Sequence, residues 1–235
     1  MSDQKMDLVL GQFFSPSLLS EKACGDFFRL LCEAEPKFVP VTYGKTEPLR
    51  KSFSVASIAQ DWDDAIFWRG TRPASLGTFL PCNRFHPHDI IYFESRGAAL
   101  IGAMQALQSR WATRFSTYFG YIHGVDDAHV KLPEYRARIM PFGQGLTWQE
   151  MQPRLPCVAW WMWFGPEYVD IVGRDKLFSA PVFQVKESAA GISLQLTESI
   201  TILKDYPAYR AHRDALVSHL GPATVAPVAE QLSRG

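Results

Sequence analysis

Cysteine is scarce in this chain of 235 residues, occurring at Cys24, Cys32, Cys82 and Cys157 only. Those spacings match neither a Cys-x-x-Cys redox pair nor a zinc ligand set, so neither a disulfide framework nor structural zinc organises the fold. Cys24 and Cys32 lie eight apart with Phe28 between them, on one helical face, as buried thiols would. Charge of one sign is also missing. Twenty-four basic and twenty-four acidic residues give zero formal net charge, and direct nucleic-acid binding normally needs a basic excess. No apolar run approaches the roughly 20 residues that span a bilayer. The N-terminus, Met1-Ser2-Asp3-Gln4-Lys5, carries an early acid, and the stretch Leu8 to Phe14 is interrupted by Gly11-Gln12. It therefore reads without a signal peptide or membrane segment, which with the unpaired thiols gives an expectation of a cytoplasmic protein. A Gly-x-Ser-x-Gly nucleophile elbow is absent, and Gly143-Gln144-Gly145 lacks the further glycine and the strand-turn-helix setting of a phosphate loop.

What the chain does contain is core-forming material: 47% hydrophobic, 13% aromatic and 20% charged residues. That composition buries a sizeable core. The patterning predicts a first strand over 6–14, then a helix capped by Ser15-Pro16, carrying Leu19, Ala23, Phe27 and Leu30/Leu31, and stopping before Pro36. Strands follow over 38–43, 65–69 and 88–94, with a strand and a helical turn in 50–62 and a loop through Pro81. Leu100, Met104, Leu107, Trp111 and Phe115 form one apolar stripe on a helix over 98–117, which is core rather than a cofactor box. A strand over 118–123 leads to a loop-like 126–152. The run 158–164 holds Trp160, Trp161 and Trp163 and is too apolar to alternate, so it is a strand buried on both faces. A short helix over 166–172 closes at Gly173. A hairpin turns at 188–191, and its second arm alternates from Ile192 to Leu203 with Ser193, Gln195, Thr197, Ser199 and Thr201 on a wet face. Asp205 caps a last helix that ends at Gly221-Pro222. The fold class is α+β, one domain over 1–221 with a mainly antiparallel sheet and two or three longer helices, followed by a flexible tail over 222–235.

Three constellations carry polar chemistry. His86-Pro87-His88-Asp89 has metal-ligand residue types on an extended segment, yet two imidazoles fall short of the three or four converging ligands a site needs. His123, Asp126, Asp127 and His129 place two imidazoles and two carboxylates within seven residues, the makings of a metal site or a general base oriented by a carboxylate. As a strand exit with turn-forming Gly124 and aspartates the same stretch needs no chemistry, so no metal, cofactor or catalytic residue is assigned. Asp61-Trp62-Asp63-Asp64 joins an aromatic anchor to three carboxylates, which would attract a basic partner. Its plain alternative is a solvated turn beside the 65–69 strand with Trp62 packed down.

The segment from Pro141 to Leu220 runs through Pro-Phe-Gly-x-Gly-Leu, the aromatic strand into Phe164-Gly165-Pro166-Glu167, the helix closing at Val172-Gly173, an Ala-Pro-Val strand and Gly191-x-x-Leu-Gln-Leu-Thr-Glu. In that order it resembles bacterial immunity proteins of polymorphic-toxin and type VI secretion systems, the immunity protein 52 family and related type VI families in particular. The helix over 98–117 followed by Tyr118-Phe119-Gly120-Tyr121-Ile122 fits the same pattern. The resemblance implies a non-catalytic α+β inhibitor that binds a cognate toxin, often a nuclease, in the cytoplasm and blocks its active site. It supplies no catalytic residues. Chemistry alone nominates Asp61, Trp62, Asp63, Asp64, Asp126, Asp127 and Tyr135 as toxin contacts. Zero net charge departs from the acidic character common in nuclease inhibitors. The rival reading is a metal-dependent or acid-base hydrolase using His123, Asp126, Asp127 and His129.

Overall fold

The computed structural model describes residues 7–14, 18–70, 75–81, 89–124, 155, 158–221 and 224. Among them ten strands form one sheet: β1 (Asp7–Phe14), β2 (Pro40–Gly44), β3 (Lys51–Ser52), β4 (Ile66–Gly70), β5 (Leu76–Leu80), β6 (Asp89–Arg96), β7 (Thr117–Gly124), β8 (Trp161–Phe164), β9 (Gln184–Ser188) and β10 (Gly191–Gln195). Among the described residues six α-helices accompany it: α1 (Glu21–Ala34), α2 (Val55–Gln60), α3 (Ile101–Arg114), α4 (Pro166–Val172), α5 (Arg174–Phe178) and α6 (Tyr206–Leu220). The expected α+β class is what the structure shows.

The strand order is β3-β2-β4-β5-β6-β1-β7-β8-β10-β9, and every neighbouring pair is antiparallel. The N-terminal strand sits at the centre, with Leu10 opposite Phe93 of β6 on one side and Ile122 of β7 on the other. Two locally connected groups of strands, β2 to β6 and β7 to β10, are thus joined by β1.

Aromatic side chains make the core beside the first group. On α1, Phe27 stacks on Trp111 of α3 with ring centroids 4.3 Å apart, and Phe28 meets Trp62 and Trp68 edge-on at 5.4 Å and 5.2 Å. Such pairs contribute about 0.5–1.5 kcal/mol each beyond the area they bury. The stripe of α3 packs as its spacing predicts, with Leu100, Met104, Leu107, Trp111 and Phe115 all buried. An ion-pair cluster ties the outer faces of the two helices. Asp26 accepts from Lys22, Arg29 and Arg114, while Arg110 meets Glu33.

Several element boundaries differ from the sequence reading. Helix α1 starts at Glu21, capped by Ser20, whose Oγ accepts from the Ala23 N–H at 3.1 Å; Ser15 and Pro16, the expected cap, lie outside the described residues. Strand β5 lies where a loop was expected. Gly77 there faces the indole of Trp68, which occupies the space a Cβ would need. The long helix is α3 preceded by a 3₁₀ turn over Ala98–Leu100, and it ends at Arg114. Helix α5 was not foreseen. The second hairpin arm stops at Gln195, and Ile200–Lys204 is a 3₁₀ helix capped by Ser199, whose Oγ accepts from the Thr201 N–H. Ile200 and Leu203 are buried by i,i+3 spacing rather than by strand alternation. Ser193 is 6% exposed, so that face of β10 is covered rather than wet. Strand β8 is buried on both faces, as expected, though it begins only at Trp161, and Trp161 and Trp163 share a side with ring centroids 6.3 Å apart. Cys24 is buried, and burial pushes its thiol up to about 12, while Cys32 is half-buried. Residues 222–235, Thr224 apart, lie outside the described residues.

Candidate functional site

The 61–64 segment ends α2 and leads into β4. Asp61 is the C-cap of α2, and Asp64 Oδ1 accepts from the Ala65 N–H at 2.7 Å. Between them Trp62 turns inward. Its ring is 4% exposed, stacks on Phe79 at 4.1 Å and 7°, and its Nε1 donates to the Leu18 carbonyl at 2.7 Å. The nomination of Trp62 as a partner-facing anchor is therefore corrected: the indole finds a better environment between α1 and β5 than in water, and its one polar atom is satisfied there. Asp61 accepts from Lys51 at 2.5 Å and from the Tyr43 hydroxyl at 3.1 Å on the same oxygen, and Asp63 pairs with Lys45 at 2.6 Å. The lysine bonds hold both carboxyls below their usual range. Three carboxylates and two ammonium groups leave this patch with a net charge of one negative unit. Asp126, Asp127, Tyr135 and His129 lie outside the described residues, as do His86 and His88.

His123 occupies β7 and is completely buried. The Trp160 N–H donates to its Nδ1 at 3.2 Å, which places the ring proton on Nε2. Its ring lies 5.5 Å from that of Tyr209 of α6, whose hydroxyl donates to the Val158 carbonyl at 2.9 Å. Burial drives the imidazole down to about 3, so the ring is neutral at physiological pH. His123 and Tyr209 together pin the 158–160 segment between β7 and α6. A general base must reach the proton it abstracts, and this imidazole is fully buried, against the Trp160 backbone and Tyr209 of α6. Among the described residues no group of three or more His, Cys, Asp or Glu side chains converges as a metal ligand set would.

A concave surface lies at the β10–β9 end of the sheet. A groove of about 710 Å³ opens between the 181–183 segment, the turn after β10 and the start of α6. Val182, Phe183, Leu196 and Ile202 supply its apolar lining, and Phe183 is 53% exposed. Glu198, Asp205 and His212 supply polar groups. Its walls are held by main-chain bonds: Phe183 N–H to Leu196 O at 3.2 Å and Leu196 N–H to Trp160 O at 2.8 Å. Gln195 Nε2 donates to the carbonyls of both Thr197 and Glu198 at 3.0 Å, and the Trp160 indole donates to Thr197 Oγ1 at 3.1 Å. Asp205 caps α6 through Ala208 N–H at 3.2 Å. Glu198 and Asp205 have no ion-pair partner among the described residues. Reading 192–203 as one strand hides this groove. The available signal was Thr197-Glu198-Ser199, three residues suited to turns and caps, just before Ile200.

No protein-family model matches the sequence, and no curated protein matches it. Among solved structures, the fold is similar to that of the Pseudomonas aeruginosa T6SS protein PA0821, with a TM-score of 0.58 and 15% sequence identity. The likeness covers 92% of this chain and 75% of that one. At that identity it is a likeness of fold.

Proposed function

We propose that this protein is a non-catalytic immunity protein that binds a cognate secreted bacterial toxin and blocks its active site. The observation that carries the reading is the fold shared across nearly the whole chain with a protein named for type VI secretion. The order of motifs from Pro141 to Leu220 supports it independently. The hydrolase alternative is weakened because His123, its central imidazole, is buried and neutral and bonded to a backbone N–H. Neutralisation by occlusion needs a contact of roughly 800 Å² on each partner. A nuclease is one toxin class this would suit, with the complex forming in the cytoplasm.

The test is co-expression with the toxin encoded beside its gene. A stoichiometric complex that co-elutes on size exclusion, and survival of cells that the toxin alone kills, are the expected results. Failure of the purified pair to associate at micromolar concentrations would overturn the reading. So would rescue that depends on turnover of a small molecule.

A further inference from the structure

We propose that the groove between the 181–183 segment and α6 is a docking site for an extended segment of a protein partner that presents an apolar side chain next to a lysine or arginine. The inference deepens the proposed function by naming the surface and the chemistry of what it takes.

Several exposed carboxylates are matched within the chain, Asp63 by Lys45, Glu47 by Arg69, Glu187 by Arg174 and Glu33 by Arg110, and exposed Asp64, Glu167 and Asp170, which are not matched among the described residues, lie outside this groove. Glu198 and Asp205 border the same apolar groove and are left without such a partner among the described residues. Asp205 commits only Oδ1 to its helix, so its other oxygen remains for an incoming cation. Phe183 is fractionally the most exposed of the described large hydrophobic residues, and it lines the same groove as these acids. An apolar floor with two free carboxylates at its rim fits a side chain that is greasy along its length and cationic beside it.

Preorganisation strengthens the case. The Glu198 backbone is fixed by the Gln195 amide, the Thr197 hydroxyl donates to Ser199 O at 3.0 Å, and Asp205 is immobilised as a cap. A partner thus meets a site whose geometry is already set, and less conformational entropy is lost on binding. Phe183 immediately precedes β9, an outermost strand of the sheet, so an extended segment leaving the groove passes alongside β9.

The experiment pans a phage-displayed library of random 12-residue peptides on the full chain and measures the enriched peptides by fluorescence anisotropy. Enriched sequences should place a lysine or arginine within two positions of an aromatic or branched aliphatic residue. Combined Glu198→Gln and Asp205→Asn should weaken them about tenfold, as loss of charge-assisted bonds does, because asparagine retains the helix cap. Phe183→Ser should weaken them separately. Enriched peptides with no cation, or equal affinity for all variants, overturn the proposal. The same variants against the neighbouring toxin separate the two claims. If wild type and groove variants bind toxin equally, the groove assignment falls while the immunity reading stands. If the peptides behave as expected and the toxin never binds, the immunity reading falls and the groove remains.

Discussion

At the scale of single residues, His123 sits in an environment far from the one it meets in the unfolded chain. Its folded value is about 3 against an ordinary 6.5, with burial as the cause. The sign follows from linkage: the unfolded chain takes up a proton that the folded chain refuses, so stability is full above about pH 6.5 and falls as the pH drops below it. The slope is about 1.4 kcal/mol per pH unit until the folded value is reached. By pH 5 this one side chain costs about 2 kcal/mol. Urea unfolding midpoints measured from pH 7.5 to 5 should fall in the wild type, and fall less steeply in His123→Gln, whose amide oxygen can still accept from Trp160 N–H. An identical slope in the two proteins would remove His123 as the cause. Trp62 makes the complementary point. Its ring is core, so Trp62→Phe loses the bond to Leu18 O and part of the Phe79 stack, and should lower stability by about 1–3 kcal/mol while leaving toxin affinity unchanged.

Between elements, glycine has opposite meanings at two positions, and substitution by alanine tells them apart. Gly102 lies in the exposed first turn of α3, and a Cβ there would meet nothing within 4 Å. Gly102→Ala should stabilise by about 0.5–1 kcal/mol, because alanine loses less backbone entropy in a helix. Gly77 in β5 has Trp68 Cε2 only 1.9 Å from where a Cβ would fall, so Gly77→Ala must displace an indole packed against Phe27 and Phe28. A loss of about 1–3 kcal/mol is expected from overpacking. Thermal unfolding of the two variants should move in opposite directions. The same contrast explains what was legible beforehand. The stripe on α3, the doubly buried β8, the Gly173 stop and the Asp205 cap are local signals, and each appears where the residues placed it. Strand β5 is hidden in the sequence because its glycine makes room for Trp68 of the neighbouring strand, and the 3₁₀ helix because residues 192–203 satisfy strand alternation and i,i+3 burial almost equally well. The groove depends on that second error. A sequence periodicity cannot reveal a concavity formed where one periodicity gives way to another.

For the whole molecule, the arrangement of the sheet separates its two acidic surfaces. The 61–64 patch is tied by Lys45 and Lys51 to the β2–β3 end, and the groove lies at the β10–β9 end. Seven strand-to-strand steps separate β2 from β10 in the sheet order, about 34 Å at the usual spacing. That is several Debye lengths at physiological salt, where the screening length is about 8 Å. A standard interface is a disc about 30 Å across, so a partner seated on the groove has no need to reach the patch, nor to sense its residual charge. Combined Asp61→Asn, Asp63→Asn and Asp64→Asn substitution turns the patch from one negative unit to two positive, since the lysines remain. If the toxin docks on the groove, that reversal should change its association rate at physiological salt by less than about twofold, whereas the Glu198→Gln and Asp205→Asn pair should slow it and weaken its salt dependence. Stopped-flow or surface-based kinetics would read both. A large effect from the patch variant with none from the groove variant would move the binding face to the opposite end of the sheet.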